Sequence, residues 1–255
     1  MRSFRRYGEY DALAWFYNRH WGREYHAKLL PILEGLVIPD LSPGGKVLDL
    51  CCGTGHLTRV LHSMGFEATG LDGSPQMIRY AAENAPACRF LVSDAREFRF
   101  GPVFHAVLST FESLNHVMDM GELKKVFMNA FSSLRGGGLF FFDLLSEEAY
   151  LSAWNGTTAY VEEDNVCIVR GGYDPPTKTA RSEITMFRLE RLERPEGDWR
   201  RRDLSLFQRF HPPEDVVPAL EEAGFSNITV YNAATELGME GDIGMGRLFF
   251  LGVKP

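Results

Sequence analysis

The chain has 255 residues, of which 45% are hydrophobic and 24% are charged, with a formal net charge of −7. These values are typical of a globular α/β protein with a sizeable core. Nucleic-acid affinity depends largely on neutralising phosphates, so an acidic chain without a dense lysine or arginine stripe argues against DNA or RNA binding. The longest apolar stretch, residues 139–145, is too short to cross a membrane.

The four cysteines favour a reducing, cytoplasmic environment. They form neither a CxxC pair nor a zinc-binding spacing, and two of them are adjacent, which makes a disulfide between those two sterically awkward: Cys51, Cys52, Cys88 and Cys167. Metal-assisted transfer would need several carboxylates near the ends of the fourth and fifth strands. Asp143 alone does not supply them, so we predict no metal.

Residues 1–40 are rich in aromatic side chains and end in an amphipathic helix pattern. Leu29, Leu33 and Leu36 follow the spacing of one helix face. Pro39 and the turn at residues 42–45 end that pattern. We therefore expect a helical cap over residues 1–40.

Residues 41–145 alternate between short apolar strands and amphipathic helices. Strands are expected at 46–50, 67–71, 88–92, 106–109 and 139–143. Helices are expected at 57–64, 75–84 and 121–134. This alternation predicts βαβ units and a parallel sheet that is buried on both faces.

The pattern changes in residues 146–210, which read as antiparallel strands with turns at 174–176 and 195–198. From residue 211 the alternation of helices and strands resumes, with a helix followed by strands at 227–231 and 247–253. We predict a doubly wound, mostly parallel, seven-stranded Rossmann-like sheet built from residues 41–145 and 211–255. An antiparallel β insertion, residues 146–210, interrupts it and is expected to act as a substrate lid.

The segment VLDLCCGTG, residues 47–55, ends a strand at a turn that contains Gly53 and Gly55. This geometry brings bare main chain up to a ligand at the carboxyl edge of the sheet. Asp72 ends the next strand, at close to the roughly 20-residue spacing of ribose-binding acids. Thr58 stands where a dinucleotide motif has its third glycine, so a nucleoside cofactor without phosphates is favoured over NAD.

Four segments in this order resemble the motif set of class I S-adenosylmethionine-dependent methyltransferases: VLDLCCGTGHLTRVL, ATGLDGSPQMIRYA, FLVSDAREF and LRGGGLFFFDL. The resemblance covers roughly residues 10–145 and implies S-adenosylmethionine as the cofactor. It implies that the methionine part of the cofactor is lined by Asp49, Gly53 and Gly55. It also implies adenosine contacts from Asp72 (ribose), Asp94 (adenine amine), Ala95, Gly73 and Met77. The commoner pattern has glycine in place of Cys51, and we expect this cysteine to be tolerated with a negative φ.

Two further segments, YDALAWFY and STFESLNH, resemble small-amine N-methyltransferases, such as amino-sugar N-dimethyltransferases and the glycine N-methyltransferase type. Many small-molecule O-methyltransferases share this likeness. It implies that the N-terminal segment, with Tyr17, covers the cofactor and that Thr110 and Phe111 face the methyl group. An amine must lose a proton before it attacks, and the first candidate base is His116, followed by Glu112.

The expected substrate is therefore a small molecule, most simply one with an amine nitrogen. Transfer to a hydroxyl or carboxyl of a small metabolite is the first alternative, since it would use the same cofactor residues. A non-catalytic cofactor-binding protein is the second, and nucleic-acid methylation is the third. A homo-oligomer formed through the β insertion is left open.

Overall fold

A mostly parallel sheet forms the centre of the protein. The computed structural model describes residues 7–22, 24–152, 154–190 and 197–255. The first strands are β1 Lys46–Leu50, β2 Glu67–Asp72, β3 Arg89–Val92, β4 Phe104–Ser109 and β5 Leu134–Leu145. A separate antiparallel sheet contains β6 Gly156–Val161, β7 Asn165–Asp174, β8 Thr179–Glu190 and β9 Asp198–Arg209. The last strands, β10 Ser226–Asn232 and β11 Arg247–Val253, return to the central sheet.

The helices alternate with the strands along the chain. They are α1 Gly8–His20, α2 Glu24–Leu36, α3 His56–Ser63, α4 Pro75–Asn84, α5 Met120–Ser133, α6 Glu147–Ser152 and α7 Pro213–Ala223. Within the described ranges, none is both long and apolar enough to span a bilayer.

The central sheet has the strand order β10-β11-β5-β4-β1-β2-β3. β1 pairs in parallel with both β2 and β4, whereas β11 is antiparallel to β5 and to β10. The direction of winding reverses between β1 and β4, and ligands of such sheets bind at the carboxyl ends of the strands at this switch point. The predicted α/β fold with its antiparallel insertion is confirmed.

Alternate residues of β5 supply the cores on the two faces of the sheet, because successive strand side chains point to opposite faces. Phe140 and Phe142 pack with Phe250 on the side of α5 and α7. Phe141 packs with Phe249 on the other face, together with the leucines of α2. The run of three phenylalanines thus makes β5 apolar on both faces, which is the pattern of a fully covered central strand.

The antiparallel sheet is covered on one face by α1. Leu13 and Phe16 of that helix pack against Cys167, Ile184 and Met186 of β7 and β8. The N-terminal helix therefore lies between the insertion and the carboxyl edge of the central sheet, where it also contacts α4.

Several boundaries differ from the sequence prediction. β5 begins at Leu134 rather than at residue 139, because Leu134 already pairs with Phe104 across an irregular register that admits three glycines. The short helix α6 was missed, since six residues show too little periodicity to be recognised. The predicted turn at residues 195–198 lies partly outside the described residues.

Truncation of Phe142 tests the packing of β5 on the side of α5 and α7. Its ring is fully buried and stacks on those of Phe140 and Phe250 at 4.8 and 4.9 Å between centroids. We expect Phe142→Ala to lower the free energy of unfolding by about 3–5 kcal/mol in denaturant titrations. Met128→Ala, on an exposed face of α5, is the control and should change it by less than about 0.5 kcal/mol. Equal effects of the two variants would contradict the packing described.

Candidate functional site

The turn after β1 is held by hydrogen bonds from its own backbone. The Cys52 N–H donates to the Leu71 carbonyl at 3.0 Å, and the Gly53 N–H donates to the Asp72 carboxylate at 2.9 Å. The Gly55 N–H donates to the Cys52 carbonyl at 3.0 Å. The first two bonds join the turn to β2, and the third closes it on itself.

Cys51 departs from the expected backbone conformation. Its φ is +61°, whereas the sequence analysis expected a negative φ, so that expectation is wrong. Cys51 follows the last residue of β1, and the N–H groups of the next two residues bond to the end of β2. A left-handed conformation costs roughly 1–2 kcal/mol for a residue other than glycine. The surrounding hydrogen bonds hold the strained residue in place.

Asp49 is buried at the end of β1 and accepts a hydrogen bond from the Thr58 hydroxyl at 2.6 Å. Burial raises the pKa of Asp49 to about 7, and the bond from Thr58 opposes that rise. The residue that replaces the third glycine of a dinucleotide motif therefore serves as the donor to Asp49. Sequence reasoning had used Thr58 only to exclude a motif.

The two glycines of the turn have different roles. Gly53 has a φ of +54°, and the Tyr17 ring lies over it, so that a Cβ there would be 3.2 Å from the ring. Gly55 has a φ of +77°, and a Cβ there would be 2.8 Å from the Ala81 methyl of α4. Gly53 thus leaves bare main chain at the sheet edge, while Gly55 allows the close approach of α3 and α4.

Asp72 is fixed by two backbone donors, one on each carboxylate oxygen. The Gly53 N–H lies 2.9 Å from Oδ2 and the Ser74 N–H lies 2.8 Å from Oδ1. Burial raises the pKa of Asp72 to about 6, and these donors oppose the rise. Met77 is buried one turn into α4, below the same edge.

The end of β3 contains a second fixed carboxylate. Arg96 forms two side-chain hydrogen bonds with Asp94, both at 2.7 Å, and a third partner is the Tyr7 hydroxyl. Burial raises the pKa of Asp94, but the hydrogen bonds from Arg96 outweigh it and lower the value to about 2. Ala95 is buried beside it. The Tyr7 ring also packs directly on Gly73.

The N-terminal helix is attached to this edge by polar contacts. The Asp11 carboxylate accepts the Ser74 hydroxyl at 2.6 Å and the Gln76 N–H at 3.1 Å, both at the start of α4. Tyr10 packs edge-on against the His116 ring, with 5.6 Å between centroids. The aromatic N-terminal residues therefore lie over the carboxyl ends of β1 and β2.

His116 has both ring nitrogens engaged. Nδ1 lies 2.8 Å from the Phe207 carbonyl, to which it can only donate. Nε2 lies 3.0 Å from the Gln208 amide nitrogen and must accept its hydrogen. Burial lowers the pKa of His116 to about 4. This arrangement favours a role in joining the loop after β4 to β9 over the predicted role as a base.

The loop after β4 continues the buried edge. Thr110 is buried, and Phe111 and Glu112 both have positive φ, at +63° and +44°. The Glu112 N–H donates to the Asp143 carboxylate at 2.9 Å, which holds this strained pair of residues against β5. Burial raises the pKa of Glu112 to about 7.

An arginine that sequence reasoning missed completes the site. Arg247, at the start of β11, forms ion pairs with Glu112 at 2.6 Å and with Asp143. A single arginine at the start of an apolar strand was the available signal. Its partners are more than a hundred residues away, so the sequence did not show that it pairs with them.

The structure brings most of the predicted residues to one edge of the sheet. Its members are Tyr17, Asp49, Cys51, Gly53, Asp72, Gly73, Asp94, Thr110, Phe111 and Glu112. Gly55 lies behind this edge, where the turn contacts α4, and Met77 is buried in α4. Among the described residues, no group of three or more histidines, cysteines or acids is placed to hold a metal ion.

Residues 47–138 match the family model of a methyltransferase domain. The resemblance identified from the motifs is therefore confirmed over these residues, and the fold around them is that of a solved S-adenosylmethionine-dependent methyltransferase. This part of the chain is thus similar to a methyltransferase domain.

Curated relatives that match part of the chain also include methyltransferases. The dTDP-3-amino-3,4,6-trideoxy-alpha-D-glucopyranose N,N-dimethyltransferase of Streptomyces venezuelae is 31% identical over 119 residues, which are 46% of this chain and 49% of that protein. The matched stretch spans about half the length of the curated relatives.

Solved structures match over nearly the whole chain. An S-adenosylmethionine-dependent methyltransferase from Clostridium acetobutylicum has a TM-score of 0.76 at 22% identity, covering 96% of this chain and 98% of that one. The sugar N-methyltransferase KedS8 from Streptoalloteichus has a TM-score of 0.72 at 23% identity, covering 94% and 91%. At these identities the likeness establishes the fold.

The environment of His116 predicts how stability depends on pH. Its pKa is about 4 in the folded protein and about 6.5 in the unfolded chain, so only the unfolded chain gains a proton between these values. The stability from the neutral ring is complete above pH 6.5 and is lost as the pH falls towards 4. We expect His116→Gln to make the loss shallower, by up to about 1.4 kcal/mol per pH unit, in urea unfolding at pH 7, 6 and 5.

The control for this experiment is His62→Gln, at an exposed position of α3. NMR of the imidazole rings should show no titration of His116 between pH 5 and 8. A His116 ring that gains its proton near pH 6.5 would contradict the hydrogen-bonding pattern and return this residue to the list of candidate bases.

Proposed function

We propose that this protein is an S-adenosylmethionine-dependent methyltransferase that acts on an amine nitrogen of a small molecule. The observation that carries the proposal is the Glu112 carboxylate, which lies among aromatic rings at the same edge as the Gly53 turn. The names of the relatives support the amine, since two of them are sugar N-methyltransferases.

The residues of the edge fit a cofactor without phosphates. A pyrophosphate would need free backbone N–H groups at the turn after β1. Here the N–H groups of Cys52, Gly53 and Gly55 are already bonded to protein acceptors. The carboxylates of Asp49, Asp72 and Asp94 would repel an anion, whereas they suit a cationic sulfonium.

The cofactor, when bound, supplies a methyl group that its sulfonium has already activated. We propose that Asp72 holds the ribose hydroxyls and that Asp94, with Ala95 beside it, accepts from the adenine amine. Tyr17, Thr110 and Phe111 would enclose the methionine end over the bare main chain of Gly53. The Tyr7 ring, which now lies on Gly73, would move aside to admit the adenosine.

The acceptor amine must present a lone pair, and the chain supplies a base for its proton. Glu112 is buried, and its pKa of about 7 suits proton transfer near neutral pH. The rings of Tyr17, Tyr25 and Phe111 exclude water from the pocket and can hold a cation by their faces. The protein therefore positions the reacting groups, excludes water from the pocket and supplies one base.

We further propose that residues 1–40 cover the cofactor and that the insertion, residues 146–210, selects the substrate. The covering role is supported by the contacts of Asp11 with the start of α4. The selecting role is supported by the bonds that join β9 to the loop after β4, through His116 and Asn115.

Loss of the Asp72 charge should weaken cofactor binding. A charge-assisted hydrogen bond contributes roughly 1.5–3 kcal/mol, so Asp72→Asn should raise the dissociation constant of S-adenosylmethionine about tenfold or more in equilibrium dialysis. Asn keeps one acceptor for the Gly53 N–H, which helps to preserve the turn. Asp40→Asn, at an exposed position, is the control. Unchanged affinity in Asp72→Asn would remove this residue from the site.

Replacement of the proposed base should affect turnover and spare the cofactor. With a panel of amino sugars and other small amines, we expect Glu112→Gln to lower kcat by about a hundredfold, within the range of general-base effects. Cofactor affinity should stay within about twofold. Glu222→Gln, on the exposed surface of α7, should behave as wild type. Methylation of hydroxyl compounds, with no amine accepted, would favour the O-methyltransferase alternative.

A further inference from the structure

Arg247 is a buried cation in a position that requires explanation. Its side chain is only 3% exposed, although it lies at the start of a strand. Nε donates to the Ile243 carbonyl at 2.7 Å, and the two terminal nitrogens pair with Glu112 and Asp143. Burying a guanidinium is costly unless it is paired and hydrogen-bonded. These partners meet that requirement.

Aromatic rings fix the plane of the guanidinium. Its central carbon lies 5.0 Å from the centroid of Tyr25 and 5.9 Å from that of Phe111. The two rings stack on each other at 4.4 Å. The guanidinium of Arg247 therefore has little freedom to rotate. Its fixed orientation also fixes the orientation of the carboxylates paired with it.

The two carboxylates of this cluster are not equivalent. Asp143 is fully buried and receives the Tyr25 hydroxyl at 3.2 Å, the Glu112 N–H at 2.9 Å and Arg247. The Glu112 carboxylate is held by Arg247, and 12% of its side chain is exposed. When both carboxylates are ionised, the one guanidinium leaves one negative charge unbalanced, and Glu112 is the member with capacity for another donor.

We propose that Arg247 is a positioning residue for Glu112, and that the negative charge left in this cluster binds the ammonium form of the substrate. This inference rests on the proposed function. The proton of the bound ammonium passes to a Glu112 oxygen, and the nitrogen keeps the electron pair with which it attacks. Arg247 touches neither the substrate nor the cofactor and acts through the carboxylate.

The charged and titratable groups that face Glu112 come from five elements: Arg247 of β11, Asp143 of β5, Tyr25 of α2, Tyr17 of α1 and Tyr150 of α6. Arg247 is the cation of this set. Burial and Asp143 raise the pKa of Glu112, and Arg247 opposes them. Without the guanidinium the pKa of Glu112 would rise further, and a protonated carboxyl would neither attract an ammonium nor take its proton.

The test is a double-mutant cycle between Arg247→Met and Glu112→Gln, with an amine substrate. Arg247→Met alone should lower kcat at least tenfold and move the acidic limb of the kcat/KM profile upward by about one pH unit or more. In the Glu112→Gln background the same change should cost less than about twofold. Arg247→Lys should restore part of the loss. Full, additive losses would overturn the inference.

Two further variants test whether a loss of activity in Arg247→Met is caused by misfolding. Arg247→Met with Asp143→Asn removes the cation together with the carboxylate it would leave unpaired. This pair should show an upward pH shift smaller than that of Arg247→Met, because Asp143 also raises the pKa of Glu112. Lys124→Met, which breaks an exposed ion pair between α5 and α7, is the matched control and should leave kcat unchanged.

A readout without turnover separates this inference from the proposed function. Carbon NMR of labelled glutamate should show that the Glu112 carboxyl titrates at least about one unit higher in Arg247→Met than in wild type. An equal pKa in both proteins would overturn the positioning role. If the pKa shifts but no amine is methylated, the proposed function fails while the role of Arg247 in holding a charged carboxylate stands.

Discussion

The hydrogen bond from the Gly53 N–H to the Asp72 carboxylate is the constraint on which the rest of the site depends. It joins the turn after β1 to the end of β2, two residues after the left-handed Cys51. The main chain of Gly53, which carries no side chain, faces the Tyr17 ring. The hydrogen bond also occupies a donor that a phosphate would otherwise use, so one bond both shapes the edge and limits what can bind there.

A second set of contacts lies across the switch point between β1 and β4. Arg247 joins the loop after β4 to β5, β11 and α2, and thereby places Glu112 opposite the Gly53 turn. The first set of contacts consists of backbone donors and the carboxylate of Asp72. The second consists of the buried Arg247 guanidinium and two carboxylates. The N-terminal helix contacts both, with the Tyr17 ring over Gly53 and 6.1 Å from the ring of Phe111.

Local pattern was sufficient to predict the fold and the acid at the end of β2. The alternation of strands and helices, the turn with Gly53 and the spacing to Asp72 are all read from neighbouring residues. The conformation of Cys51 was predicted wrongly, because it is set by bonds to a different strand. The engagement of His116 by Gln208 and the pairing of Arg247 with Glu112 join residues about a hundred positions apart, and no local pattern records them.

Calorimetric titration of the unmodified protein with S-adenosylhomocysteine, with NAD as the comparison, tests the central claim most directly. The arrangement of Asp49, Gly53 and Asp72 predicts micromolar binding of the sulfur nucleoside and no measurable binding of the dinucleotide. Binding of NAD alone would contradict the account, because it would show that the turn after β1 accepts phosphates in spite of its occupied donors.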